Sequence, residues 1–116
     1  MDAALPSRID FNRLMQHLGG DRAVLAELLA LFLKSAEHSI EQMGQAERDI
    51  NVISWLQQAH QLKGACKNIT AKRLANLCVE AEDVTRLPNP QSAAVLYHMN
   101  KELAALHELI ARYLAG

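Results

Sequence analysis

The sequence predicts an all-α protein, an antiparallel up-and-down four-helix bundle with a short additional helix at the amino-terminal end. Half of the 116 residues are hydrophobic, and most of these are Ala and Leu, which are strong helix formers. Three Pro and five Gly are few for a turn-rich β protein. Apolar residues recur at helical spacing between short breaks, and short connections make neighbouring helices antiparallel.

The first two helices are separated by a pair of glycines. A short amphipathic helix is predicted over about residues 9–18, and it ends at Gly19-Gly20. Asp21 is then a candidate N-cap, because its side chain can accept a hydrogen bond from a free N–H group of the first turn. It opens the first long helix, predicted over about residues 21–48.

Further caps and a proline-rich break bound the other three helices, which are predicted over about residues 51–67, 71–87 and 90–115. Asn51 and Thr70 are the candidate N-caps of the first two. At Pro88-Asn89-Pro90, Asn89 is the N-cap and Pro90 takes the first helical position, where its missing N–H costs nothing. The length of 116 residues suggests one domain, residues 1–116.

Charge and cysteine content exclude several classes of protein. The net charge is −1, so the chain lacks the basic field of a general nucleic-acid binder, and no nucleic acid is expected. Residues 1–7 do not resemble a signal peptide, and Cys66 and Cys78 indicate reduced thiols of a cytoplasmic protein. The most apolar stretch, Ala23–Leu33, is interrupted by Glu27 and is too short to insert in a membrane.

Motifs of enzymes and metal sites are missing from the sequence. There is no GxxxxGK[ST] loop and no GxGxxG turn after a strand. None of the five histidines has a Glu three residues before it or another His four residues away, so no metal site is predicted. A nucleophilic Ser or Cys with a distant base stays open, because such partners need not be near in sequence.

One helix carries an unusual exposed face. On a helical wheel its core stripe consists of Val52, Trp55, Ala59, Leu62 and Cys66. His60 falls outside this stripe. Its neighbours on the wheel are two apolar residues, two lysines and a glycine: Ile53, Leu56, Lys63, Lys67 and Gly64.

This face has a functional and a purely structural interpretation. An exposed His and two Lys on a helix are most often solvated side chains. Gly64 is harder to explain, because Gly inside a helix costs about 1 kcal/mol relative to Ala. Either a partner or ligand approaches closely there, or another helix of this chain packs on Gly64. Taken together, the residues suggest a docking patch that presents a nucleophilic imidazole.

The segment His60-Gln-Leu-Lys63-Gly64 resembles the H-x-x-K-G signature of histidine-containing phosphotransfer (Hpt) domains, which act in bacterial and eukaryotic phosphorelays. The next helix, Leu74–Glu82, is similar to the family pattern L-x-x-L-C-x-x-L-E. The resemblance covers about residues 9–114. Thr70 and Ala81 depart from it, since Gly and Leu are common at those positions.

This resemblance implies roles for three side chains. His60 would be phosphorylated at Nε2, in a covalent nucleophilic step shared between two proteins. Glu82 would accept the hydrogen bond of the His60 Nδ1–H and so fix the tautomer. Lys63 would neutralise the phosphoryl oxygens, and the chain would be a covalent phosphoryl carrier rather than an enzyme on its own.

The resemblance also implies the partners. The chain would exchange the phosphoryl group with an aspartate on the receiver domain of a hybrid sensor kinase, of a response regulator, or of both. No cofactor is expected on this chain, because Mg²⁺ would be held by the partner receiver domain. A monomer is expected, with a partner-binding patch of Ile53, Leu56, Gln57, Gly64 and Lys67. The alternative is a non-catalytic helical-bundle adaptor that binds a signalling partner through this same patch around His60.

Overall fold

The computed structural model describes residues 8–116, and the predicted absence of a signal peptide concerns residues outside this range. The described residues form five helices and no strand: α1 (Phe11–His17), α2 (Arg22–Asp49), α3 (Val52–Asn68), α4 (Lys72–Glu82) and α5 (Pro90–Ala115). Helices α2, α3, α4 and α5 form the bundle, in which α2 and α4 each pack against both α3 and α5. The predicted all-α fold with a short first helix is confirmed.

Three of the predicted N-caps are confirmed by their hydrogen bonds. The side chains of Asp21, Asn51 and Asn89 each accept a hydrogen bond from the backbone N–H three residues further on. At α5 the Ser92 hydroxyl also accepts from the Asn89 N–H at 3.1 Å, which completes a capping box. Pro90 occupies the first helical position, as predicted.

The prediction that Thr70 caps α4 is wrong. Ala71 occupies the N-cap position and provides no side-chain hydrogen bond. Thr70 instead has a φ of 60°, in the left-handed region. Its hydroxyl accepts a 2.9 Å hydrogen bond from the backbone N–H of Asp10. The Gly that is common in the family at this position is explained by the backbone, since Gly adopts positive φ without strain.

Helix α4 is shorter than predicted, because it ends at Glu82 rather than near residue 87. The buried Val84 and Leu87 continue the apolar spacing of the helix after the chain has left it. They close the end of the core from an irregular segment, residues 83–89. The apolar spacing therefore predicted a longer helix, because buried residues continue at that spacing after the helix has ended.

The core fixes α4 against α3 close to Glu82. The indole of Trp55 is fully buried, and its Nε1–H donates a 2.8 Å hydrogen bond to the carbonyl of Ala81. Buried tryptophan N–H groups need such a partner, because an unsatisfied donor costs free energy. This contact holds the last turn of α4 at a fixed height along α3.

Helix α1 packs on the end of the bundle where α3 ends and α4 begins. Ile9 and Leu14 are buried in the common core. The ring of Phe11 stacks on that of Tyr113 in α5, with centroids 3.9 Å apart. The short helix therefore extends the core to the surface beside the α3–α4 turn.

Both cysteines lie in the core as free thiols. Cys66 on α3 and Cys78 on α4 are fully buried. A hydrogen bond with the Cys78 side chain, together with burial, raises the pKa of the Cys66 thiol. Cys66 is therefore a protonated packing residue rather than a reactive thiolate.

Candidate functional site

The exposed face predicted for α3 is present. Trp55, Ala59, Leu62 and Cys66 are buried, as the wheel predicts. Val52, the fifth residue of the predicted stripe, is only half-buried against the core. The side chain of His60 is 75% exposed. An imidazole in this position is accessible to a second protein, while the helix that carries it is anchored by its opposite face.

Glu82 brings the end of α4 to this imidazole. The Glu82 Oε2 lies 3.3 Å from the His60 Nδ1. It is the last residue of α4, next to the Ala81 carbonyl that the Trp55 indole holds. The pair that the resemblance implied is therefore brought together by two packed helices, although 22 residues separate its members.

The same carboxylate holds Lys63. The Lys63 Nζ donates a 2.7 Å hydrogen bond to Glu82 Oε1, so the two carboxylate oxygens serve the two residues separately. The hydrogen bond from Lys63, with a smaller contribution from His60, holds the pKa of Glu82 below its usual range. Glu82 is therefore a carboxylate at neutral pH. No spacing in the sequence indicates the contact between Lys63 and Glu82.

Gly64 lies on the exposed face, and a Cβ atom added there would meet nothing within 4 Å. The structural interpretation, in which another helix of this chain packs on Gly64, is therefore wrong for the described residues. The space above Gly64 is open to an approaching partner.

The other predicted patch residues lie along the same side of α3. Ile53 is 71% exposed, Leu56 is half-buried against the core, and Gln57 and Lys67 are exposed. With Gly64 they form a continuous surface that runs past His60 from the start of α3 to its end. What binds to this surface stays a prediction.

Two features are missing from residues 8–116. They contain no group of three or more His, Cys, Asp or Glu side chains that could hold a metal ion. No helix among them has the length and apolar character needed to cross a bilayer.

A family model described as "Hpt domain" matches residues 27–115 of the chain. The chain belongs to the Hpt domain family. The predicted resemblance is confirmed, and with it the function of a histidine phosphotransfer intermediate in phosphorelays. Hpt domains pair with receiver domains of hybrid kinases.

Two solved structures share the fold of this Hpt domain. Histidine-containing phosphotransfer protein B (HptB) from Pseudomonas aeruginosa PAO1 superposes with a TM-score of 0.81 at 20% identity, covering 96% of this chain and 97% of that one. The Hpt domain of a sensor hybrid histidine kinase from Shewanella superposes with a TM-score of 0.69 at 18% identity, covering 90% and 95%. No curated protein matches the chain in sequence at a significant level.

Proposed function

We propose that His60 is the residue that carries the phosphoryl group, and that its Nε2 is the nucleophile. The observation that supports this most strongly is the pairing of the exposed imidazole with Glu82 through Nδ1. A carboxylate at Nδ1 favours the tautomer that carries its proton there. The lone pair is then on Nε2, which forms no hydrogen bond with the described residues.

The transfer is balanced without a proton leaving the ring. The Nε2 lone pair attacks the phosphorus of an aspartyl phosphate on a receiver domain. The N–P bond forms while the P–O bond to the aspartate breaks, and that electron pair leaves with the aspartate carboxylate. The ring keeps its Nδ1 proton and becomes positively charged, beside the negative charge of Glu82. Transfer to a second receiver is the reverse of these steps.

Lys63 is proposed to stabilise the transferred charge. Its ammonium group is held by Glu82, which also contacts His60, so it starts close to the incoming phosphoryl oxygens. A positioned cation stabilises charge that develops in the transition state. The rest of this stabilisation is proposed to come from Mg²⁺ on the partner receiver domain. The chain would then act as a carrier that completes no reaction alone.

Phosphotransfer to variants of His60 tests the proposal. Purified receiver domains are charged with radiolabelled acetyl phosphate, freed of the small donor and mixed with the chain. We expect wild type to gain acid-labile label and His60→Gln to gain none. His38→Gln is the matched control, because His38 is also an exposed helical residue, and it should be labelled like wild type.

His60→Gln should leave the fold intact, because the His60 side chain lies off the core. Circular dichroism should give the same helicity for wild type and His60→Gln. His17, His98 and His107 should be dispensable as well. Unchanged labelling of His60→Gln would overturn the assignment, and binding of receivers without any labelling of wild type would favour the adaptor alternative.

A further inference from the structure

A pocket of about 260 Å³ opens where α1, the end of α3 and the start of α4 meet. Four basic side chains line it: Arg13 and His17 from α1, Lys67 from α3 and Lys72 from α4. These four residues are called the cationic pocket below. No carboxylate is among the described residues that line it.

The cations of this pocket are not paired with a carboxylate in the described part of the chain, because Asp10 accepts from the backbone N–H of Arg13 rather than from its guanidinium. Arg13, Lys67 and Lys72 are exposed, and none of them forms an ion pair with residues 8–116. Lys72 is also the first residue of α4, where the helix dipole disfavours a cation. Like charges gathered in this way repel one another, and an anionic group from outside relieves the repulsion.

The pocket lies within reach of a protein docked on His60. Lys67 follows His60 by seven residues on the same face of α3, which places it about 10 Å further along the helix axis. A standard interface covers about 800 Å² on each partner, equivalent to a disc with a radius of about 16 Å. A partner centred on His60 therefore reaches Lys67, which forms the α3 side of the cationic pocket.

The opposite end of the same face has a different character. Ile53 precedes His60 by seven residues and is 71% exposed, and Leu56 between them is half-buried. The surface is therefore apolar on one side of the imidazole and positively charged on the other. Such a polarity fixes the direction in which a partner docks, because reversing the partner would place its charged groups on apolar side chains.

We propose that the cationic pocket binds carboxylate side chains of the receiver domain that exchanges the phosphoryl group with His60. This rests on the proposed function and specifies the partner: its docking surface carries Asp or Glu side chains on the side that faces α1. An acidic protein surface fits better than nucleic acid, because the charge is confined to one pocket on a chain of net charge −1. The pocket would strengthen binding of the receiver domain, while the phosphoryl group is still transferred at His60.

The test uses a receiver domain that labels wild type in the experiment above. The phosphotransfer rate is measured against receiver concentration at about 0.05 M and about 0.5 M salt, which changes the screening length severalfold. The variant is Lys67→Glu/Lys72→Glu. The control is Lys34→Glu, an exposed lysine of α2 that lines no part of the pocket and pairs with no described residue.

We expect the double variant to raise the half-saturating receiver concentration at low salt by about tenfold or more, since like charges then face each other. Its transfer rate at saturation should stay near that of wild type, and the difference should shrink at high salt. Lys34→Glu should stay within about twofold of wild type. Changing an acidic residue of the receiver to Lys should restore binding to the double variant.

Other outcomes overturn the inference. An unchanged half-saturating concentration in the double variant would do so while leaving the proposed function standing. Binding of inorganic phosphate at Lys67 and Lys72, seen by NMR with unchanged receiver binding, would assign the pocket to a free anion instead. If no receiver labels wild type at all, the proposed function fails first and the inference falls with it. Should the double variant fail to fold, Arg13→Gln provides the same test from α1.

Discussion

Glu82 occupies the centre of the site at the scale of single residues. Its two oxygens hold the His60 Nδ1 and the Lys63 Nζ separately. Before transfer, the ammonium of Lys63 is therefore engaged with a carboxylate rather than free in solvent. When a phosphoryl group is bound to Nε2, the Lys63 ammonium can interact with the phosphoryl oxygens or with Glu82. Glu82 stays hydrogen-bonded to the His60 Nδ1–H.

Replacing Lys63 with Ala should slow transfer more than it weakens docking. Loss of one electrostatic stabiliser typically costs about 10²-fold in rate, and the expected loss is somewhat smaller because the receiver shares the charge. Rapid-quench kinetics at saturating receiver measure this. Lys63→Arg keeps the positive charge and is the matched control. Equal rates for wild type and Lys63→Ala would contradict the role.

The lowered pKa of Glu82 predicts a dependence of stability on pH. Its pKa in the folded state lies below the unfolded value of about 4.3. Its contribution to the free energy of unfolding is therefore complete above that value and is lost as the pH falls through the lower, folded pKa. Urea unfolding of wild type and Glu82→Gln should differ more at about pH 5.5 than at about pH 3. A difference that does not vary with pH would contradict this.

Gly64 lowers the stability of helix α3, because Gly is a poorer helix former than Ala. Because the space above it is open, Gly64→Ala should stabilise the protein by up to about 1 kcal/mol. Gly64→Gln should also fold but lose receiver binding, because its side chain fills the space a partner needs. Thermal melts and a binding titration check both.

Gly44 of α2 supplies the matched control, since a Cβ there meets only the Arg48 side chain at an ordinary 3.7 Å. Gly44→Ala and Gly44→Gln should leave receiver binding unchanged. A lower melting temperature for Gly64→Ala would mean that this face packs on something.

The ends of the helices show which parts of an element a sequence can predict. Asp21, Asn51 and Asn89 were predicted as caps because their effect is local, within three residues. Ile50 and Thr70 were not predicted to have left-handed φ values of 56° and 60°. Both are β-branched and unsuited to that region, so the conformation is imposed by the helices that they connect.

In the site, too, features within one helix are predictable from the sequence, while contacts between helices are not. The exposure of His60 and Gly64 follows from the 3.6-residue period of one helix, so the wheel alone predicts it. The pairing of Lys63 with Glu82 depends on how separate helices pack, and so does the pocket that Arg13 and Lys67 both line. No spacing in the sequence carries that information, and only the family resemblance indicated that Glu82 lies near His60.

At the scale of the whole molecule, α1 is attached to the bundle by apolar side chains and by hydrogen bonds from its N-terminal end. One is the hydrogen bond from the Asp10 N–H to the Thr70 hydroxyl. Thr70→Val keeps the shape of the side chain and removes the acceptor, so it should lower the free energy of unfolding by about 1 kcal/mol. Urea unfolding measures it. Thr70→Ser keeps the hydroxyl and should lose less, and equal losses for Val and Ser would contradict the role of the hydrogen bond.

The indole of Trp55 is an intrinsic fluorescence probe of the bundle. It is the only tryptophan of the chain, it is fully buried, and its N–H donates to the carbonyl of Ala81. Indole fluorescence shifts to longer wavelength on exposure to water, so the emission reports whether α3 and the end of α4 are still packed together. A receiver on the outer face of α3 does not touch this ring. Emission should therefore stay constant on docking and change on unfolding, which separates the two effects without any attached dye.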